Sequence, residues 1–397
     1  MAGEAGSGML RTVVGAICVC ILCIILVAGL WPFRAPKNDV QWLQTGNGIR
    51  FGQRGIVVSA RAFPADSNPG PCSLEIYLRP RRTSGSGTIL ALDDNPDPKY
   101  VFAVRQFDSG LAVQRPAFDR SEELVRQWWR TDRVFERDNS VVLTITGSHA
   151  GTTLFVDGTA VNVSSDFGLT RADLNGKLVL GNSALQDSWH GDVMGLAIYN
   201  VELTPAQVGE NANRWLRGHT PAVSGIGIEL PVALYRFDEG SGSVVHDQSS
   251  GANSLLIRPR YFVLDPAFLE PVWKPFRSRW DGWMTRSYWS DCVINIAGFI
   301  PFGFFFALWF SLSPTVARPR MTALLLGAAI SLTIETLQYF LPTRDSSMTD
   351  LLNNTIGTAL GVSLCNPAWI RKRSARLFAA GDIGQAHNGA AQPGRSN

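Results

Sequence analysis

The sequence predicts a membrane α-helical part, a four-helix transmembrane bundle, combined with an all-β part, an antiparallel β-sandwich. Three observations carry that reading. Long apolar runs are confined to the first 31 residues and to the stretch after Asp291. The residues between them form short β-branched runs separated by Gly, Asn, Asp and Pro. The chain of 397 residues has a formal net charge of only +3, so no strong field selects nucleic acid as a partner.

Residues 1–12 read as a cytoplasmic N-terminus and residues 13–31 as the first membrane helix. Val13 to Leu30 carries no charge, and at ~1.5 Å per residue it crosses most of a ~30 Å hydrocarbon layer. Trp31 and Phe33 then mark an interface. A cleaved signal peptide is the rival reading, but the run exceeds a usual signal core and no A-x-A site follows. Three further segments, Cys292 to Leu312, Met321 to Leu341 and Leu351 to about Ile370, fill residues 291–370 and bring the expected crossings to four. The last is the weakest, because its apolar part ends at Leu364 and Pro367 follows. Arg318 and Arg320, and then Arg371, Lys372, Arg373 and Arg376, place their regions in the cytoplasm by the positive-inside tendency. Both termini are then cytoplasmic. Residues 371–397 read as a disordered tail, and the soluble middle and the loop from Pro342 to Asp350 fall on the outer side.

The soluble middle spans residues 38–264. "CSLEIYLRP", "GTILALDD", "YVFAVRQF", "SVVLTITG", "GTTLFVDGTAVNV" and "GKLVLGN" read as strands, and Asp157-Gly158 as a tight hairpin turn. Asp93, Asp94 and Asp97 in "DDNPDPK" supply carboxylate oxygens suited to Ca²⁺, with ordinary turn composition as the alternative; no other cofactor is expected. Arg115, Arg126, Trp128, Trp129 and Arg130 read either as a glycan-facing set or as a basic aromatic helix. Residues 265–290 combine Trp273, Trp280, Trp283 and Trp289 with Lys274, Arg277, Arg279 and Arg286, which suits an interfacial linker.

Polar side chains inside the later apolar segments are the candidate site. Ala323, Gly327, Ser331 and Glu335 recur at intervals of four, followed by Gln338, and so share one helix face. Asp350, Asn354, Gly357 and Gly361 form a second stripe with Asn353 beside it, and Asp291 and Asn295 open the segment before. Gly327, Gly357 and Gly361 permit close helix approach. A carboxylate facing lipid costs several kcal/mol, so Asp291, Asn295, Glu335, Gln338, Arg344, Asp350, Asn353 and Asn354 are expected to converge on one enclosed pocket near the outer surface.

"VVLTITGSHAGTTLFVDGTAV", "LNGKLVLGN" and "WHGDVMGLAIYNVELTPAQV" resemble the laminin-G or concanavalin A-like jelly rolls. "VALYRFDEGSGSVVHDQSSGANSL" is similar to the usual opening of such a domain but arrives late, as if a strand order were permuted. The resemblance implies a glycan-binding module. The E-x-D-x-x-E motif of related glucanases is absent, which argues against hydrolysis by this part.

"DCVINIAGFIPFG" and "ETLQYFLPTRDSSMTDLLNNTIGTALG" resemble the VanZ-like membrane family through Asp291, Asn295, Phe299, Pro301, Gly303, Glu335, Gln338, Arg344, Asp350, Asn354 and Gly357. "GLWPF" after the first helix fits as well. The resemblance implies a bacterial cytoplasmic-membrane protein whose four helices are split by the inserted sandwich. It also implies binding of membrane lipid and of an envelope glycan or lipid-linked glycan on the outer side, in a setting of glycopeptide resistance or surface polysaccharide processes. The alternative is a membrane enzyme acting on a lipid-linked glycan or phospholipid, with Glu335 and Asp350 as acid and base. No nucleophile elbow, HExxH or P-loop is present in the sequence to support a specific reaction.

Overall fold

The computed structural model describes residues 2–366 apart from 65–68, 94–100, 119–123, 137–138, 184–186, 220, 222–229, 265, 267 and 273–285. Asp94, Asp97, Trp273, Trp280, Trp283 and the basic cluster after Pro367 lie outside these residues. The chain divides into two compact units, Ala35–Asp265, and Met1–Arg34 together with Pro266–Asn397.

The first unit is two antiparallel sheets. One runs β1 (Val40–Trp42), β2 (Ile49–Phe51), β13 (Gly191–Tyr199), β4 (Cys72–Pro80), β9 (Val141–Ser148), β10 (Gly151–Val156) and β11 (Thr159–Ser164), with β14 (Ala233–Tyr235) paired to β13. The other runs β15 (Val244–Val245), β16 (Leu255–Leu256), β3 (Val57–Ser59), β12 (Lys177–Leu180), β5 (Ser86–Asp93), β6 (Phe102–Phe107), β7 (Gly110–Phe118) and β8 (Leu124–Thr131). The late "VALYRF" stretch thus adds one strand to the first sheet, and the residues after it add two to the second. At the β10–β11 hairpin Asp157 and Gly158 hold φ of 51° and 82°, the positive angles a tight turn requires.

Strand alternation divides β4 between two environments. Leu74, Ile76 and Leu78 enter the inter-sheet core with Leu90, Leu92, Val104 and Val113. Glu75 and Tyr77 point the other way, toward α2 (Pro205–Leu216). Thr204 caps that helix, Pro205 opens it, and Val208, Ala212 and Trp215 bury its inner stripe. Beneath it the fully buried Glu75 carboxylate accepts from Asn211 Nδ2 at 3.0 Å and from the Tyr199 hydroxyl and Trp215 Nε1, both at 3.1 Å.

Residues 124–131 form strand β8, which excludes the basic aromatic helix. Gln127 and Trp129 share one face, and Arg126, Trp128 and Arg130 take the other, because side chains alternate along a strand. Trp129 stacks on Phe167 in the core with ring centroids 5.8 Å apart. Trp128 carries the guanidinium of Arg126 at 5.2 Å and those of Arg105 and Arg130 at 5.7 Å. The chain enters and leaves this unit side by side. The Asn38 amide N–H donates to Pro259 O at 3.1 Å, its side chain donates to Arg258 O at 2.8 Å, and the Tyr261 N–H donates to Pro36 O at 3.0 Å.

The second unit packs four helices, α1 (Ala2–Leu30), α3 (Arg286–Ser311), α4 (Pro319–Gln338) and α5 (Met348–Leu364). Three stretches, Gly8–Leu30, Trp289–Ser311 and Pro319–Gln338, are long and apolar enough to cross a membrane. The 17 residues of α5 rise only ~25 Å, so the fourth expected crossing is a shorter helix. Its packing on α3 is backbone to backbone: a methyl group at Gly357 would strike the Ile296 carbonyl, and one at Gly361 the Ile300 carbonyl. Gly303 on α3 faces the Thr358 carbonyl in the same way, and Gly327 on α4 faces the Thr358 side chain. Phe302 and Phe306 stack at 4.2 Å in the apolar core beside these contacts.

Two expected outcomes follow from this packing. Gly361→Ala loses about 3 kcal/mol or more of helical-unit stability, measured by unfolding of the purified full-length protein in detergent, whereas Gly298→Ala, with open space around the added methyl, is tolerated. Burial raises the Glu75 carboxyl to about 7, against the lowering effect of its hydrogen bonds to Asn211, Trp215 and Tyr199. The protonated form is therefore favoured on folding, and the stability it contributes is present at acidic pH and lost as pH rises through about 7. Sandwich melting followed by tryptophan fluorescence should fall across that window, and Glu75→Gln should flatten the dependence.

Candidate functional site

On α4 the four-residue spacing buries Ala323, Gly327, Ser331 and Glu335 along one stripe, with Gln338 at its end. The neighbouring helix α5 begins at Ser347, whose hydroxyl accepts from the Thr349 N–H at 3.1 Å. The Ser347 N–H itself donates to Glu335 Oε2 at 2.7 Å. About two turns further into α5, Asn354 Nδ2 donates to Ser331 Oγ at 3.0 Å. Gln338 Nε2 reaches Gly29 O of α1 at 2.9 Å. Asn295 of α3 and Asp350 in the first turn of α5 line the same space.

Arg344 donates through Nη2 to Trp31 O at 3.0 Å and to Ala28 O at 3.2 Å. It therefore satisfies carbonyls that the C-terminal end of α1 leaves without helical partners. The partner of Glu335 is a backbone N–H, and no ion pair to Arg344 occurs among the described residues. A short strap completes the rim. The Glu270 N–H donates to Ser346 O at 2.8 Å, the Met348 N–H donates to Glu270 O at 3.0 Å, and the Leu269 N–H donates to Ser346 Oγ at 3.1 Å.

These elements enclose a cavity of about 610 Å³. Asp291, Asn295, Glu335, Gln338, Arg344, Asp350 and Asn354 all line it, and Asn353 does not. Glu270, Thr343, Asp345 and Ser347 also line it, although sequence reasoning did not select them. For Ser347 a signal existed, since "SMTD" has the capping-box spacing of a hydroxyl three residues before an acid. For Glu270 none did, because its place depends on pairing with a loop more than seventy residues away.

The charge of the lining is lopsided. Among its described residues five carboxyl groups, those of Glu270, Asp291, Glu335, Asp345 and Asp350, stand against the single guanidinium of Arg344. In addition, Gln338 Oε1, Thr343 Oγ1 and Asn354 Oδ1 are buried with no hydrogen-bond partner among the described residues. Such a surface offers acceptors in excess, so it suits a ligand rich in O–H or N–H donors better than a bare anion. No group of three or more His, Cys, Asp or Glu side chains suited to a metal ion occurs among the described residues. Asp93 closes β5 in register with Lys177 of β12, and the other two acids named for Ca²⁺ fall outside the described residues.

Residues 234–371 match the VanZ/LLP1 family model. The helical unit is VanZ-like. The match begins within β14 and leaves out α1, which joins the VanZ-like unit through its packing on α3 and α4. Residues 52–209 match the family model of the concanavalin A-like lectin/glucanases superfamily. Among solved structures, a candidate carbohydrate binding protein from Bacteroides ovatus is 14% identical at a TM-score of 0.37, with 56% of this chain and 58% of that one covered. The ligand binding domain of botulinum neurotoxin serotype D, in complex with N-acetylneuraminic acid, is 12% identical at a TM-score of 0.34, with 45% of each chain covered. The binding domain of Paraclostridial Mosquitocidal Protein 1 is 14% identical at a TM-score of 0.34, with 45% of this chain and 47% of that one covered. The chain thus spans about half the length of these structures. No curated protein matches the chain.

The Glu335 bond separates two substitutions. Glu335→Gln keeps a carbonyl oxygen for the Ser347 N–H and should leave unfolding of the VanZ-like unit nearly unchanged. Glu335→Ala leaves that donor without its acceptor and should cost about 1–3 kcal/mol in the same measurement.

Proposed function

We propose that the protein is a bacterial cytoplasmic-membrane receptor for a glycosylated or amine-bearing lipid, whose headgroup the VanZ-like unit holds in the cavity around Glu335. In this reading all four helices sit in the membrane, α5 being the shortest, with the sandwich and the 342–350 loop on the outer side. Arg318 and Arg320 at the start of α4 support that orientation, because positive charge favours the cytoplasmic side. The sandwich, matched to the concanavalin A-like superfamily, is read as a glycan-binding module for the same envelope face.

One observation carries the reading of the cavity: polar side chains from three helices and a strap line one space, and several of their buried oxygens have no described partner. Sugar hydroxyls or an ammonium would supply the missing donors, while Arg344 at the α1 end could receive a phosphate that links such a headgroup to its lipid. Architecture alone would not require acceptors to stay unsatisfied, since each costs about 1–3 kcal/mol when buried.

The test is mass spectrometry of lipids that co-purify with the full-length protein in nanodiscs. Glycosylated or amine-bearing lipids should be enriched over the bulk membrane, and Asn354→Ala with Asp291→Asn should remove the enrichment. Bound lipids that mirror the bulk composition in both proteins would overturn the proposal. A second reading, general acid–base catalysis, is favoured by the placing of Glu335 and Asp350 on the lining of one cavity. Turnover of a lipid-linked disaccharide that disappears in Glu335→Gln would support it; binding without turnover would exclude it for that substrate.

A further inference from the structure

The outer face of the first sheet carries a feature that the membrane cavity does not explain. Antiparallel register sets Gln41 of β1 opposite Arg50 of β2, Arg50 opposite Asp192 of β13, and Asp192 opposite Arg79 of β4. One row of side chains across four strands is therefore polar, with two arginines to one aspartate. Arg50 holds Asp192 through Nε at 2.8 Å and Nη2 at 3.1 Å, and Arg81 approaches the same carboxylate at 3.7 Å.

Two cavities, about 730 and 360 Å³, lie along this row and share Gln41 and Arg50 as lining. Their described lining holds five arginines, Arg50, Arg79, Arg81, Arg82 and Arg236, and two histidines, against the two aspartates Asp39 and Asp192. Asp192 holds Arg50 and faces Arg81, and Arg236 pairs with Asp238, so guanidinium groups still outnumber carboxylates along the groove. Burial, and next the charge of Arg82, hold the His190 imidazole below its usual range, as a positive surrounding requires.

The larger cavity also has aromatic walls. Tyr77, on the same face as Arg79, lies 6.3 Å from the Trp215 ring, whereas Trp42 pairs with Ile49 and packs against the inter-sheet core. Half-buried rings fixed from behind are suited to stacking against the C–H faces of sugars, and guanidinium groups to bidentate contact with carboxylate or phosphate.

We propose that this groove binds an acidic saccharide chain, with a sugar ring against Tyr77 and its carboxylate or phosphate groups against the arginines. The assignment rests on the reading of the sandwich as a glycan-binding module and adds to it a site and a charge class. It concerns the face that carries α2, built from β1, β2, β13 and β4, and it is independent of the membrane cavity.

Binding of the full-length protein in nanodiscs to three oligomers of equal length tests it by calorimetry: oligogalacturonate, oligo(glycerol phosphate) and a neutral β-glucan oligomer. Oligogalacturonate should bind at least about tenfold tighter than the neutral oligomer, and salt at about 0.5 M should weaken that binding by about tenfold or more. Binding of oligo(glycerol phosphate) alone, a polymer with no sugar ring, would overturn the saccharide assignment. Arg81→Glu with Arg82→Glu, at exposed positions on the rim, should abolish anionic binding with the melting temperature retained. Equal or tighter binding of the neutral oligomer would overturn the proposal while leaving the glycan reading intact. Failure of all three oligomers to bind would overturn both.

Discussion

The helical unit depends on how a carboxylate inside an apolar helix is satisfied. Glu335 lies at the polar end of the α4 stripe, and against hydrocarbon its charge would cost several kcal/mol. It meets the Ser347 N–H instead, one of the donors that the start of α5 leaves without an intrahelical acceptor. That bond joins the last turn of α4 to the first turn of α5 and closes the intervening loop into a ring. Asn354 with Ser331, and Gln338 with Gly29, extend the same solution along the stripe and across to α1. The glycines of α5 then let this polar seam and the α3 backbone lie close together. Polar satisfaction and close packing therefore reinforce each other, and the cavity is what remains between the elements they position.

Much of this was legible in the residues because helical periodicity is a local property. The four-residue spacing of Ala323, Gly327, Ser331 and Glu335 gave the buried face directly, and the spacing of Asp350, Asn354, Gly357 and Gly361 gave the facing one. What spacing cannot give is the identity of partners across space. Arg344 is the cation closest in sequence to Glu335, yet its fork meets the carbonyls at the end of α1. Asn353 sits beside Asp350 and Asn354 in sequence, but one residue of helical rotation carries it away from the cavity. Glu270 was illegible because its position comes from a bridge to Ser347 formed in the folded chain.

The same distinction holds in the sandwich. Asp157-Gly158 announced its hairpin, since the conformation belongs to two residues. Arg126 to Arg130 did not reveal its structure, because a run with adjacent tryptophans satisfies no clean alternation. Only the burial of Trp129 against Phe167 shows that neighbouring aromatic residues serve opposite faces, one as core and one as a platform for guanidinium groups. Glu75 is a comparable case: within "CSLEIYLRP" it looks like an outward strand residue, and the three donors that cover it come from β13 and α2.

The closeness of the two points where the chain enters and leaves the sandwich has a further consequence. Pro36 and Tyr261 are hydrogen-bonded neighbours, so more than two hundred residues begin and finish within roughly one inter-strand spacing, ~5 Å. A segment with adjoining ends behaves as a cassette. Excising it would leave a gap that a short hairpin could span, and exchanging it would place few geometric demands on the flanking helices. One helical scaffold can thereby acquire different β-sandwich heads by recombination at a single seam.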